Sequence, residues 1–249
     1  MCTVVILRRP AAAWPLILAA NRDERVARPW QAPGRHWPDR PDVVAGRDEL
    51  AGGTWLGLND SGVVAGVMNR EGSLGPAPRM RSRGELALEA LDHADADAAV
   101  EALRHLDGKA YRPFNLVIAD NRDAYWLKSI GDGPLLVTPI EPGVSMLTAR
   151  DLNDTSSARI AAFLPLFEEA EPPDPENANW DRWQALMAAG RPEDPASSSL
   201  TSMAIDPSDG YGTLSGSLIA LPRDMRQARP VWRFCGGRPG TVPYEDVTP

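Results

Sequence analysis

Strand-like and helix-like segments in this chain come in separate blocks. That ordering constrains the fold more than any single motif does. Thr3–Arg8 and residues 16–20 are short apolar runs around RPAAAWP and read as a hairpin. Residues 54–58 and 63–68 flank Asn59-Asp60-Ser61-Gly62, a second hairpin. Ser82-Arg83-Gly84-Glu85 has the spacing of a capping box and opens a helix through Leu91. Residues 95–106 carry Ala, Val and Leu at helical spacing. Strands are then expected at Phe114–Ala119, 125–129, 135–140 and 144–147. A helix over 156–169 contains Pro165, which is expected to kink it. Residues 171–178 form a Pro-rich acidic linker, 180–189 a short helix, and a Pro/Ser-rich loop follows. Residues 214–221 and Val231–Cys235 close the chain as strands. Segregated blocks predict an α+β fold and not a parallel βαβ sheet. Residues 21–50 are rich in Arg, Pro and Asp without a period, so a long ordered loop is expected there, and such loops are usually functional. No internal repeat and no composition break appears, so residues 1–249 read as one domain.

Composition narrows the classes of function. A net charge of -8 argues against nucleic-acid and anionic-membrane partners. No apolar run reaches the ~20 residues a membrane span needs. The N-terminal apolar stretch is shorter than a signal peptide and is followed by Arg8 and Arg9, so it reads as a strand and the expected compartment is cytoplasmic. Cys2 and Cys235 give neither a disulfide framework nor a metal-binding spacing, so no metal is expected. With three histidines, of which His93 and His105 fall in polar helical sequence, a Ser/His/Asp triad has little material. Nothing here bears on oligomeric state.

Cys2 is the residue with distinctive chemistry. Removal of Met1 leaves a thiol and a free α-amine on one residue. Their ordinary pKa values, about 8.5 and about 7.7–8.0, are close enough for the amine to take the thiol proton and return it to a leaving group. The apolar run after Cys2 anchors that terminus in a sheet. Asn21-Arg22-Asp23-Glu24 follows the second strand, whose hairpin brings it back beside the chain start. A carboxylate there can hold an α-ammonium, and a guanidinium can lower a thiol pKa. Trp14, Trp30, Trp37 and Trp55 read by default as packing, and Cys235 as a buried structural thiol.

MCTVVIL followed by LILAANRDERVARP resembles the NRDE family, also called the transport-and-Golgi-organisation family. The resemblance continues through AGRDELAGGTWLGLNDSGVVAGVMNREG, SRGELALEAL and RPFNLVIAD to YGTLSGSLIAL, so it covers most of the chain. That family is similar in pattern to the bile-salt and penicillin V amide hydrolases. The resemblance therefore implies a four-layer αββα sandwich of the N-terminal-nucleophile (Ntn) hydrolase type, with Cys2 as nucleophile. It implies that Asp23 matches an active-site acid, with Asn21 and Arg22 as substrate-binding or charge-stabilising groups, Arg22 being near but shifted from the family's arginine. It implies Asn69 as an oxyanion donor and Arg159, in a Ser-x-Ser-Arg-like segment, as an active-site charge.

Two positions depart from the pattern. Relatives carry Ser-Asn where Thr148-Ala149 stand here, and an Arg where Leu214 stands. Retention of Cys2, Asp23 and Asn69 points to hydrolysis of a small amide. The two losses point to a non-catalytic protein that binds or moves a small ligand, such as haem or an acyl-CoA-like metabolite. In both cases the partner is a small molecule, and the hydrolase needs no cofactor.

Overall fold

In the computed structural model, which describes residues 2–190 and 201–247, the first strand forms where its apolar run begins. β1 (Thr3–Arg8) buries its first five residues, odd and even alike, so both faces are covered. β2 (Leu16–Arg25) pairs with it antiparallel from Thr3↔Asn21 to Arg8↔Leu16. The tetrapeptide 21–24 therefore lies inside β2 and not in a turn after it. The extension is set from far along the chain: β11 (Tyr211–Leu221) pairs along β2 as far as Arg25. With β10 (Gly143–Leu147), β12 (Val231–Cys235) and β13 (Glu245–Asp246), these strands form a six-stranded antiparallel sheet in the order β10-β1-β2-β11-β12-β13. Between Thr213 and Ser215 the β11–β2 register shifts: Thr213 faces Asp23 and Ser215 faces Arg22, leaving Leu214 as the extra residue of a bulge.

Two helices lie on this sheet. α3 (Ala158–Glu169) and α4 (Asp181–Ala188) bury Ile160, Phe163, Phe167, Trp183, Leu186 and Met187 against Val5, Leu7, Ile17, Ala19, Met146, Leu218 and Ala220. Helices under ~12–15 residues are marginal alone, so packing and not propensity holds the eight residues of α4. The helix assignment runs on past Pro165.

The second sheet has the order β3-β4-β5-β6-β7-β8-β9, all neighbours antiparallel. Its strands are β3 (Trp30–Gly34), β4 (Val43–Asp48), β5 (Leu56–Asn59), β6 (Val64–Asn69), β7 (Phe114–Ala119), β8 (Ala124–Ser129) and β9 (Leu136–Pro139). β3 and β4 correct the loop expected over residues 21–50. Pro33 hid β3 from a sequence reading; a proline is tolerated there because β3 is an edge strand and its register with β4 is irregular. α1 (Gly84–Leu91) and α2 (Ala96–Leu103) cover the sheet with Leu86, Leu88, Leu91, Val100 and Leu103 on Ala45, Ala65, Phe114, Leu116 and Ile118. The capping box does not close. Arg83 holds the N-cap position without a side-chain cap, and the Glu85 carboxylate pairs with Arg81 at 3.0 Å. α2 is capped by Asp95, whose carboxylate accepts from the Ala98 N–H at 2.8 Å, and it ends at Leu103 and not at residue 106.

The residues group into two compact units, one of Met1–Arg28 with Pro142–Val247 and one containing Pro29–Glu141. Each is an antiparallel sheet with two helices. The Pro/Ser-rich loop expected after α4 lies outside the described residues.

Candidate functional site

The first unit gathers buried polar groups around Asp23. Strand alternation puts Asp23, like Ala19, on the side of β2 that faces the helices, and register puts it opposite Thr213. Its carboxylate is fully buried. The Thr213 hydroxyl donates to Oδ1 at 2.6 Å, and Arg159 Nη1 reaches Oδ2 at 3.2 Å. The same Nη1 donates to Thr3 Oγ1 at 2.5 Å. Thr213 is held in turn: its hydroxyl accepts from the Ile205 N–H at 2.8 Å, and its N–H donates to the Ile205 carbonyl at 3.0 Å. Arg159, Thr3 and Thr213 are all buried. A buried carboxylate left alone would be costly; here the opposite charge and hydroxyl bonds compensate it.

The backbone carbonyl of Asp23 is a second meeting point. The Cys2 thiol donates to it at 3.5 Å and the Tyr211 hydroxyl at 3.4 Å. Cys2 keeps some accessible surface, yet protein packs densely around it. Burial pushes its thiol above the ordinary value and the Asp23 charge pushes the same way. The amino-terminal charge, the Asp23 carbonyl bond and Arg22 pull it back without reversing the shift. The nearby cations therefore do not depress this thiol while Met1 is in place. Burial, and then the charges of Cys2 and Asp23, keep the Tyr211 phenol protonated well above its usual range.

Cys2, Arg22, Asp23 and Arg159 thus come together in one unit. Continuing the Thr3↔Asn21 register places Cys2 across from Arg22, which is buried and whose charge reaches the thiol. Asn21 is buried too; its amide nitrogen is spent on the chain, donating to the carbonyls of Met187 and Met203 at 2.9 Å each, while its Oδ1 accepts no hydrogen bond from the described residues. Asn69 belongs to the second unit, at the end of β6 opposite Phe114. Ala149 is buried, and Asn153 close by is occupied: its Oδ1 accepts from the Met146 N–H at 2.7 Å, which fastens its loop to β10. Thr3, Thr213 and Tyr211 were given no role by sequence reasoning, although Met-Cys-Thr and Tyr-Gly-Thr contain them; only the fold shows that Thr213 meets Asp23 and that Thr3 meets the Arg159 guanidinium. Cys235 is fully buried, its thiol donating to the Val242 carbonyl at 3.2 Å, and burial raises it. Among the described residues no group of three or more His, Cys, Asp or Glu side chains is placed to hold a metal, and no helix is long and apolar enough to cross a membrane.

A family model described as Transport and Golgi organisation 2 matches residues 1–228. The chain belongs to that family. The human Transport and Golgi organization protein 2 homolog is 33% identical over 145 residues, 53% of this chain and 51% of the human protein. The Bos taurus homolog is 38% identical over 117 residues, 43% of this chain and 40% of its own length. The chain therefore spans about half the length, or less, of the curated relatives it matches. Solved structures with a similar fold include a Caenorhabditis elegans N-acylethanolamine-hydrolyzing acid amidase ortholog, with TM-score 0.57 and 14% identity over 88% of this chain and 92% of that one. The C2A mutant of conjugated bile acid hydrolase from Clostridium perfringens has TM-score 0.55 and 12% identity over 99% and 92%. Penicillin V acylase from Agrobacterium tumefaciens has TM-score 0.53 and 14% identity over 99% and 86%. At such identities these likenesses speak for the fold, which is of the Ntn-hydrolase type. For this family member the mixed architecture of antiparallel sheets and four helices agrees with the one the resemblance implied.

Proposed function

We propose that this protein hydrolyses the C–N bond of a small amide, with Cys2 as its first residue after loss of Met1. The observation that carries the reading is that the Cys2 thiol and the locked Asp23–Arg159 pair meet on one residue of β2. One of the compared enzymes was solved with a cysteine at its second position replaced by alanine, the position Cys2 holds here.

In this reading the α-amine of Cys2 takes the thiol proton, and the sulfur attacks the amide carbon. The negative charge moves to the carbonyl oxygen, for which the family resemblance assigns the Asn69 amide N–H as donor. The ammonium returns the proton to the nitrogen, the C–N bond breaks, and an amine leaves a thioester on Cys2. Water then attacks the thioester, releasing the acid and restoring thiol and amine. Asp23, fixed by Arg159 and Thr213, supplies a negative charge that cannot swing away and favours the ammonium form.

The test is hydrolysis of an N-acylethanolamine, a conjugated bile acid and penicillin V by untagged protein whose terminus is read by intact mass. Turnover of one amide, lost in Cys2→Ala and lowered roughly 100- to 1,000-fold in Asn69→Ala, is expected. Activity that survives Cys2→Ala, or full activity with Met1 retained, refutes the mechanism. Iodoacetamide gives a readout free of substrate. Exposing the α-ammonium of Cys2 lowers the thiol, so the processed chain should label at a lower pH than the Met1-bearing one, and Cys235 should label last in both.

The raised thiol, with Ala149 and Leu214 in place of polar residues, favours a second reading: a non-catalytic carrier of haem or an acyl-CoA-like metabolite. A haem titration that shifts the absorption spectrum, with no hydrolysis of any of the three amides, would select it.

A further inference from the structure

The segment that follows Asn69 is basic and irregular. Residues 70–83 hold four arginines and one glutamate in a chain whose net charge is -8. They include no helix and no strand, yet the backbone is tied down by guanidinium groups. Arg112 donates to the carbonyls of Gly72 and Leu74 at 2.9 Å each and of Pro76 at 3.4 Å. Arg83 donates to the carbonyls of Ser73 at 2.8 Å, Pro113 at 3.1 Å and Gly75 at 3.2 Å. The Ser73 hydroxyl donates to the Pro113 carbonyl at 2.8 Å. Arg81 bridges to Tyr111 and stacks over its ring at 5.3 Å. A Cβ on Gly131 would lie 3.3 Å from Pro113, so the turn beside Ile130 closes on the same place.

What this scaffold presents outward is both apolar and basic. Leu74 (47% exposed), Met80 (42%) and Ile130 (59%) are three of the eight exposed large hydrophobic side chains among the described residues. Arg79 and Arg81 flank Met80 and are exposed. Arg79 has φ 64°, a left-handed backbone that only a few per cent of non-glycine residues adopt. The acids nearby are Glu71, Glu85 paired with Arg81, Glu89, whose charge also reaches Arg81, and Asp132 paired with Lys109. The guanidinium of Arg112 is bonded to neutral carbonyls, which leaves its charge in place.

We propose that this patch docks the protein reversibly on an anionic lipid surface. Three apolar side chains enter the headgroup boundary while Arg79, Arg81 and Arg112 meet lipid phosphates and carboxylates. The negative charge of the whole chain does not forbid this, because at about 0.1 M salt the Debye length is about 10 Å and local charges decide what a surface feels. A lipid surface suits the patch better than an acidic protein. A stable protein contact needs about 800 Å² on each partner, whereas reversible peripheral binding adds a small apolar insertion to about 1 kcal/mol for each arginine at an anionic surface. The proposal does not depend on the amide-hydrolase reading.

Flotation of the full chain with phosphatidylcholine vesicles, with and without a third of phosphatidylserine, tests it. Binding is expected only with phosphatidylserine and should fall steeply as salt rises. Arg79→Gln should weaken it about fivefold, the worth of one arginine at a charged membrane. Met80→Ser should weaken it at every salt concentration, while Arg104→Gln, on the outer side of α2, should leave it intact. No binding, equal binding to both vesicles, or an equal loss in the Arg104 variant overturns the proposal. So does failure with vesicles combined with salt-sensitive binding to polyglutamate, which would assign the patch to an acidic protein.

Discussion

The two units share a plan, a sheet with two helices on it, but differ in what lies beneath the helices. In the unit containing Pro29–Glu141 that layer is apolar, with Leu86, Leu103, Phe114, Leu116 and Ile118 among its fully buried members. In the other unit the corresponding layer contains an ion pair, Asp23 with Arg159, bonded to two buried threonines. Apolar packing of the same volume would hold a helix at least as well, because a buried ion pair gains little over the desolvation it costs. The second unit shows that apolar packing holds two helices on such a sheet; in the first unit an ion pair stands in that layer, beside Cys2, which is bonded to the Asp23 carbonyl.

The most direct way to break this comparison is Arg159→Met. It strands the Asp23 carboxylate, and a loss of about 3–5 kcal/mol in denaturant unfolding is expected. Adding Asp23→Leu should restore most of that stability while Cys2 chemistry stays lost. Recovery of both would mean the pair serves neither chemistry nor specificity. Next comes Leu116→Ala in the second unit, expected to cost about 2–5 kcal/mol through the cavity it leaves, with hydrogen exchange rising first in peptides from residues 84–119. Thr213→Val keeps the shape and removes the hydroxyl that the Asp23 carboxylate and the Ile205 N–H both use; about 1–3 kcal/mol is expected by thermal unfolding. The smallest effect should be Asp95→Ala, near 1 kcal/mol from the lost cap of α2, with iodoacetamide labelling of Cys2 unchanged. A changed labelling rate there would show that the two units are not separable in the way the comparison assumes.

Much of this architecture was legible in the sequence because its signals are local. The hairpin around Asn59-Asp60-Ser61-Gly62, the helix within residues 95–106 and the burial of Cys235 all follow from residue type and short-range pattern. What stayed hidden depends on distant partners. The end of β2 is strand because residues near 211 pair with it, and β3 is strand despite Pro33 because it lies at a sheet edge. The candidate site divides the same way. Cys2 and Asp23 stand out by position and motif, and Arg159 by its likeness to a Ser-x-Ser-Arg segment. Thr3 and Thr213 look like ordinary strand threonines until the fold sets one beside the Arg159 guanidinium and the other beside the Asp23 carboxylate. The capping box failed because Glu85 found a better partner in Arg81.

Leu214 carries a further lesson, about insertions and deletions. On the Thr213 side of the bulge, the odd-numbered residues of β11 look toward Asp23; beyond it, the even-numbered Leu218 and Ala220 look toward the helices. The bulge changes which residue numbers face the helices, while each residue still shares a face with its partner on β2. Deleting Leu214 should therefore be tolerated: Thr213 opposite Asp23 and Ser215 opposite Arg22 become consecutive rungs of a regular ladder, and Leu218 and Ala220 keep their side. Deleting Thr213 instead removes the hydroxyl bonded to the Asp23 carboxylate. At this bulge the strand carries one spare residue, and Leu214 is the one it can lose.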